Sequence, residues 1–528
     1  VTMEEKKPYK FVVVGGGTAG WISALYLRYK SPSSEITLVE SDSIGVLGAG
    51  EGTTPPFMHF LESVQIPLSR LVQETSTTIK NGIKFVNWQG AGDYYYHGFA
   101  ASEEVGLSAF DNHQYLFDTS MLFAYGEATG KSFSDYNYID RLCEQNKVPF
   151  HLHPEYESQA IPDPIFKYLY NANYAVHFDA IALADFFKKV ATEEREIIRI
   201  EGKVVGETTN SGGEIESLQL ESGESIEGDF FIDCTGFAKR LIGGLYESEW
   251  EDHSKYLTVD SAMPYFLPVD PNNLASYTES TAMKYGWSWK IPLQHRYGCG
   301  YVFDSKYLTD EEAKAEIIEF LGEEPVWPRE KSFKFSPGYY KTPWTKNCLA
   351  VGLSSGFIEP LEATSIWATI LQLKHALKDM ALVKNRNQKS IDEFNNYSCR
   401  INDSIFNFVY LHYMGGRTDT EFWKHYQSDS NTPPRLKSIL STWEYRLPRY
   451  TDFEGDIFLL ESWLSVAKGV SKVNDKTYKQ LYEDNDIPEH IENDYKFLMQ
   501  VQEEHLDIAT PHGKFLADLG QASQVRQA

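Results

Sequence analysis

Phe11-Val-Val-Val-Gly15-Gly16-Gly17-Thr18-Ala19-Gly20-Trp21-Ile-Ser-Ala-Leu-Tyr-Leu27 is the stretch that decides the fold class. Its apolar run Phe11–Val14 reads as a short strand buried on both faces. The run breaks at Gly15, Gly16 and Gly17, and helix-period apolar residues follow from Ala19. Glu35-Ile-Thr-Leu-Val-Glu40 is a second short strand, closing on an acid. Strand, glycine turn, helix, strand and acid make a dinucleotide-binding βαβ unit, with Glu40 lying 20 residues beyond Gly20. Glycines there let backbone approach a pyrophosphate, which gains from amide donors and the dipole at a helix N-terminus. Gly15, Gly17, Thr18, Ala19 and Gly20 are therefore candidate cofactor contacts, with Glu40 and Ser41 after the second strand.

Outward from this unit, the chain has the composition of an ordinary globular protein. Of 528 residues, 42% are hydrophobic and 23% charged, which excludes a disordered, collagen-like or disulfide-stapled chain. Acidic residues outnumber basic ones 75 to 49, a formal charge of −26 with no basic patch set aside. Nucleic acid and anionic membrane are poor partners for such a surface. The cysteines Cys143, Cys234, Cys299, Cys348 and Cys399 are scattered without a C-x-x-C pair, and no metal site is expected. The first residues lack the apolar core of a secretory signal, and no run approaches a membrane span; a cytoplasmic location is expected.

Residues from about 85 to 175 are aromatic-rich and irregular, an insertion that builds walls. Residues 198–232 alternate in short apolar runs, a β-meander that ends in the buried strand Phe230-Phe-Ile-Asp-Cys-Thr-Gly236. After about 375 the pattern turns helical, with Ile491, Tyr495 and Leu498 forming an amphipathic stripe. The expected architecture is α/β (α+β). Residues 8–375 form a monooxygenase-like module around the Rossmann-type βαβ unit, and 376–528 form a mainly helical part. The interrupted βαβ start and two later glycine-ended strands, Asp229–Gly236 and Cys348–Gly356, favour FAD over NAD as the dinucleotide.

Several motifs carry a resemblance to a known family. The glycine turn runs straight into Trp21, and Gly286-Trp287-Ser-Trp289-Lys-Ile-Pro292 resembles the W-x-W-x-I-P signature of the flavin-dependent halogenases, the tryptophan halogenase family. Supporting matches are Gly48-Ala-Gly-Glu-Gly-Thr-Thr-Pro55, Ile79–Trp88, His177–Asp185, Phe231–Gly236 and Gly352–Thr364. Together they span residues 11–367.

The resemblance implies an enzyme that takes reduced FAD from a separate flavin reductase and uses dioxygen and chloride, bromide or iodide to make hypohalous acid. That species halogenates an electron-rich aromatic small molecule. Lys80 would hold it beside the substrate, by hydrogen bonding or as a haloamine, and Glu362 would orient it or accept the ring proton. Lys84, four residues on, is a decoy on the same face if this stretch is a helix. Thr364 and Ser365 would hold the halide through their amides, and Ser365 stands where many members have glycine. Ala49, Gly52, Val204, Leu353 and Ile366 complete the implied flavin contacts. Trp287 and Trp289 would separate flavin from substrate, with His97, Phe99 and Trp463 lining the pocket. An assembly of identical subunits is expected.

The family's tryptophan clamp falls here on Thr451, Asp452 and Phe458 and is not reproduced, with Glu454 and Glu461 as alternative acids. An indole- or phenol-type substrate is therefore expected in place of free tryptophan, with bromide or iodide outperforming chloride. Two other readings stay open: an aromatic hydroxylase of the same fold, and a non-catalytic FAD-binding protein.

Overall fold

The structure, a computed structural model, describes residues 7–43, 50–99, 119–131, 137–153, 155, 167–170, 173–473, 475–484 and 489–524. Ala49 lies outside the described residues. A six-stranded sheet runs in the order Ile198–Glu201, Glu35–Glu40, Lys10–Val14, Phe230–Asp233, Cys348–Ala350, Trp344–Thr345. Its first five strands are parallel and its last antiparallel. Phe11, Val12 and Val13 are fully buried at its centre, as a strand covered on both faces requires. The helix Thr18–Lys30 packs across it, so the expected βαβ unit is present.

The expected meander over 198–232 divides. Ile198–Glu201 joins the parallel sheet beside Glu35–Glu40. Only Val204–Thr209, Ile215–Leu220 and Ser225–Glu227 form a separate antiparallel ribbon. Val204 lies at its start and packs near Val14 and Val39.

A seven-stranded sheet forms the second layer, in the order Phe333–Lys334, Ser261–Leu267, Tyr297–Phe303, Gly286–Pro292, Tyr277–Ala282, Gly82–Val86, Tyr94–Gly98. Gly300 lets it pack tightly, because a Cβ there would sit 2.1 Å from the Trp289 ring. The expectation of an irregular stretch from about 85 is corrected here. Tyr94–Gly98 is an edge strand paired in register with Gly82–Val86, and helices occupy Thr119–Thr129 and Tyr138–Glu144.

A small three-stranded sheet links the layers: Gly50–Gly52, Ala175–Asp179 and Thr78–Lys80. Lys80 and Lys84 therefore lie on strands of different sheets, and the shared helical face is corrected. The β-branched run Thr77-Thr78-Ile79 favours extended backbone, and Asn81 separates the two strands. Lys84 turns to the Tyr94 ring, 4.2 Å from its centre.

The helical part expected after about 375 begins earlier, at Thr364, and Ile491 and Tyr495 are buried on the helix Glu489–Ile508. The long helix Gln388–His412 returns its C-terminal end to the seven-stranded sheet, stacking His412 on Phe85 at 4.4 Å between ring centres. No helix among the described residues is long and apolar enough to cross a membrane.

Candidate active site

The glycine turn forms a cradle with one open side. Gly15 sits at φ +112°, and a Cβ there would meet the Cys234 carbonyl oxygen at 2.2 Å. A Cβ at Gly20 would meet the Gly15 carbonyl oxygen at 1.8 Å. Both glycines are demanded by the protein's own packing. Gly17, by contrast, caps the helix Thr18–Lys30 with nothing within 4 Å of its Cβ direction. A helix N-terminus bared in this way suits a pyrophosphate, so the residues present fit a dinucleotide. Glu40 ends the second strand beside the turn and ion-pairs with Arg199 at 2.6 Å. Ser41 bonds Ser43 at 2.8 Å. Val204 lies in the ribbon, whereas Leu353 and Ile366 line a cavity between the two sheets.

That cavity gathers much of what the motifs marked. Gly52, Lys80, Trp287, Trp289, Glu362, Thr364 and Ser365 all line it. Lys80 is fully buried, and its Nζ donates to the Thr53 carbonyl at 2.9 Å. The Phe99 ring lies 5.3 Å from the same nitrogen. Burial pushes the ammonium down to about 8, against the opposing pull of the Glu362 charge.

Glu362 stands on a strained turn. It has φ +67°, and Ala363 has φ +53°, so two successive non-glycine residues are left-handed just before the helix Thr364–Ala376. The turn drives the Glu362 side chain into the interior, where it is 4% exposed. Burial would raise its carboxyl, but the charge and hydrogen bonds of His97 and the close approach of His412 prevail and hold it at about 2. His97 Nδ1 lies 2.8 Å from each carboxylate oxygen, and His412 Nε2 lies 2.9 Å from one. Tyr95 Oη meets His412 Nδ1 at 2.8 Å, fixing that ring from behind. The same turn presents Thr364 and Ser365 as the first residues of the helix, where amides have no intrahelical acceptor.

Trp287 and Trp289, on alternate residues of Gly286–Pro292, share one face of their strand and line the cavity, with ring centres 6.2 Å apart. The expectation that His97, Phe99 and Trp463 line the pocket is corrected: none of them is among the cavity's lining residues. His97 and Phe99 instead stand behind it, against Glu362 and Lys80, while Trp463 is more remote. It is fully buried behind Phe408, stacks on Phe453 at 4.9 Å and donates to the Phe458 carbonyl. At the positions expected to correspond to the tryptophan clamp, Asp452 is engaged by Arg446 and Trp443, and Phe458 stacks on Phe408 at 3.9 Å. Glu461 bonds Tyr450, while Thr451 and Glu454 are exposed.

Three neighbours were not singled out from the sequence. Glu51 lines the cavity, its carboxyl pushed up to about 7 by burial and by the like charge of Asp179. Its place in Gly48–Pro55, between two glycines, was the available signal. His412 lies at the far end of a long helix with no local pattern to mark it, whereas His177, on the strand beside Lys80, opens the matched stretch His177–Asp185, which gave no sign of its neighbour.

The sequence pattern of the family described as tryptophan halogenase matches residues 10–486. The tryptophan 7-halogenase RebH of Lentzea aerocolonigenes is 32% identical over 443 residues, covering 79% of this chain and 78% of its own. The tryptophan 6-halogenase SttH of Streptomyces toxytricini is 30% identical over 460 residues, covering 84% of this chain and 86% of its own. Among solved structures, BrvH, a flavin-dependent halogenase from Brevundimonas, superposes with a TM-score of 0.80 at 28% identity, covering 97% of this chain and 99% of that one. A tryptophan halogenase from Shewanella frigidimarina gives 0.84 at 26% identity, covering 98% of each. On this fold, this cavity and these matches, the chain belongs to the tryptophan halogenase family and is a flavin-dependent halogenase.

Proposed function

We propose that the protein halogenates an indole- or phenol-type aromatic, with Lys80 as carrier of the halogenating species and Glu362 as the base. The observation that carries this reading is the cavity itself. A buried ammonium, a carboxylate held ionised by two histidines and a helix N-terminus face one space walled by Trp287 and Trp289.

FAD, when bound, would supply the reduced flavin that activates dioxygen toward the halide; a separate reductase would deliver it, since only one dinucleotide fingerprint is present. Gly17, Thr18, Ala19 and Gly20 would hold its pyrophosphate, with Leu353 and Ile366 on the cavity side. The amides of Thr364 and Ser365 would hold the halide. Trp287 and Trp289 keep the organic substrate apart, so hypohalous acid rather than substrate crosses the cavity. At Lys80, Nζ–H donates to the oxygen of the hypohalous acid and polarises its bond to halogen. The ring carbon bonds the halogen, hydroxide leaves as water on taking a proton, and Glu362 takes the proton that the ring carbon gives up.

The region of the missing clamp favours a substrate without an ammonium group. Asp452 is already paired with Arg446, Phe458 is apolar, and Glu454 and Glu461 are not among the cavity-lining residues. Among the described residues at the clamp positions, a charged ammonium would find no carboxylate facing the cavity. Ser365 adds a side chain where glycine is common, and larger halides are easier to oxidise, so bromide or iodide should outperform chloride. In this reading residues 8–375 bind flavin and halide, and 376–528 close the pocket and supply His412.

The test is turnover of indole, a phenol and tryptophan with each halide, using a surrogate flavin reductase and mass detection. Halogenated indole or phenol with bromide or iodide is expected. Preference for tryptophan with chloride would contradict the substrate and halide assignments. Halide-independent hydroxylation would contradict the reaction.

A further inference from the structure

We propose that His512 is a positioning residue for Lys80, reaching from the C-terminal segment to clamp the backbone of the lysine strand. The inference rests on Lys80 being the halogen carrier. Thr78–Lys80 is an edge strand of only three residues, paired on one side with Ala175–Asp179. Ile79, the residue before Lys80, directs its N–H away from that ladder, to His512 Nε2 at 2.9 Å. A buried amide left without an acceptor destabilises the strand that carries it.

A backbone N–H can only donate, so Nε2 must carry the lone pair and Nδ1 the proton. Nδ1–H then donates to the Ala275 carbonyl at 3.0 Å. Two backbone groups on separate segments thus fix one neutral tautomer, and the imidazole spans them as a rigid strut. His512 is 1% exposed. Burial pushes its imidazole down to about 4, so it stays neutral across the working range; the titratable groups facing it are His177 and, beyond that, Lys80.

The strut is anchored. The His512 amide donates to the Asn146 carbonyl at 3.0 Å, and Thr510–Pro511 pairs with Lys147–Val148. Phe515 stacks on Phe150 at 4.5 Å, and Tyr168 Oη donates to Asp518 at 2.6 Å. On the other flank Thr78 Oγ1 donates to the Pro292 carbonyl at 2.6 Å. Thr78 is thus fixed by the Trp287–Trp289 strand and Ile79 by His512, leaving Lys80 little freedom. The family match ends at residue 486, so this contact comes from beyond the matched region.

The test compares full-length His512→Leu, His512→Gln and Lys80→Ala with wild type, reading halogenated product per reduced flavin oxidised, FAD affinity and hypohalous acid caught by a trap in solution. His512→Leu should lower product per flavin at least tenfold, with FAD affinity and flavin oxidation within twofold and trapped hypohalous acid increased. His512→Gln, which offers both an acceptor and a donor, should restore at least half of the coupling. Normal coupling in His512→Leu, failure of His512→Gln to rescue, or joint loss of FAD binding and product would overturn the proposal. If His512→Leu does not fold, the shorter His512→Asn replaces it under the same criteria. Retained halogenation in Lys80→Ala would instead sink the reading of Lys80; its loss beside a normally coupled His512→Leu would sink this inference alone.

Discussion

His97 places Nδ1 2.8 Å from both carboxylate oxygens of Glu362, and neither side chain is more than 5% exposed. A carboxylate desolvated to this degree would ordinarily hold its proton. The histidine reverses that outcome, and with His412 keeps Glu362 ionised and ready to accept a proton.

Replacing that partner should therefore release the effect of burial. In His97→Phe the Glu362 carboxyl should climb from about 2, and the acid limb of product formation should move to higher pH. The linkage has a matching sign. A carboxyl depressed on folding contributes stability above its unfolded value of about 4.3, lost as pH falls toward 2. His97→Phe should lack that loss on acidification. A pH–rate profile with an unmoved acid limb would show that His97 does not govern the carboxylate.

Lys80 is a stability liability kept in the cavity. Its ammonium titrates at about 8 when folded against 10.5 unfolded, so the charged form costs on the order of 3 kcal/mol below pH 8. Lys80→Met should raise the urea midpoint at pH 7, by less than that full amount because the Thr53 carbonyl loses its donor. Because the lysine is depressed on folding, the gap between variant and wild type should narrow as pH rises from 8 to 10.5. A variant less stable than wild type at pH 7 would contradict the assignment of burial as the dominant cause.

Two glycines of one turn should fail in different ways. Gly15→Ala meets the Cys234 carbonyl and a left-handed backbone, so the fold itself should suffer. Gly17→Ala meets nothing of the protein within 4 Å, so the apo protein should melt as wild type does while FAD affinity falls at least tenfold. Thermal melts without flavin and fluorescence titration with FAD separate these outcomes. Unchanged FAD affinity in Gly17→Ala would place the pyrophosphate elsewhere.

The glycine turn and its flanking strands were legible in the sequence because a nucleotide cradle is local: Gly15, Gly17 and Gly20 lie within six residues. The tryptophan pair was legible for the same reason, as alternate residues on one strand. The setting of Lys80 was not. Spacing of four from Lys84 reads as a helix face, yet Asn81 divides two strands of different sheets. Partners brought together by tertiary packing were also hidden: His412 reaches Glu362 from 50 residues on, and His512 reaches Ile79 across |i−j| = 433. The strain at Glu362 and Ala363 had no signal either, since neither is a residue that favours a left-handed backbone.

Product and flavin turnover in Lys80→Ala test the central claim most directly. With reduced FAD, dioxygen, bromide and indole, flavin oxidation should continue near the wild-type rate, FAD affinity should hold, and halogenated product should fall at least a hundredfold. Halogenation at the wild-type rate, or loss of FAD binding in a folded variant, would contradict the account and remove Lys80 from the site of halogen transfer.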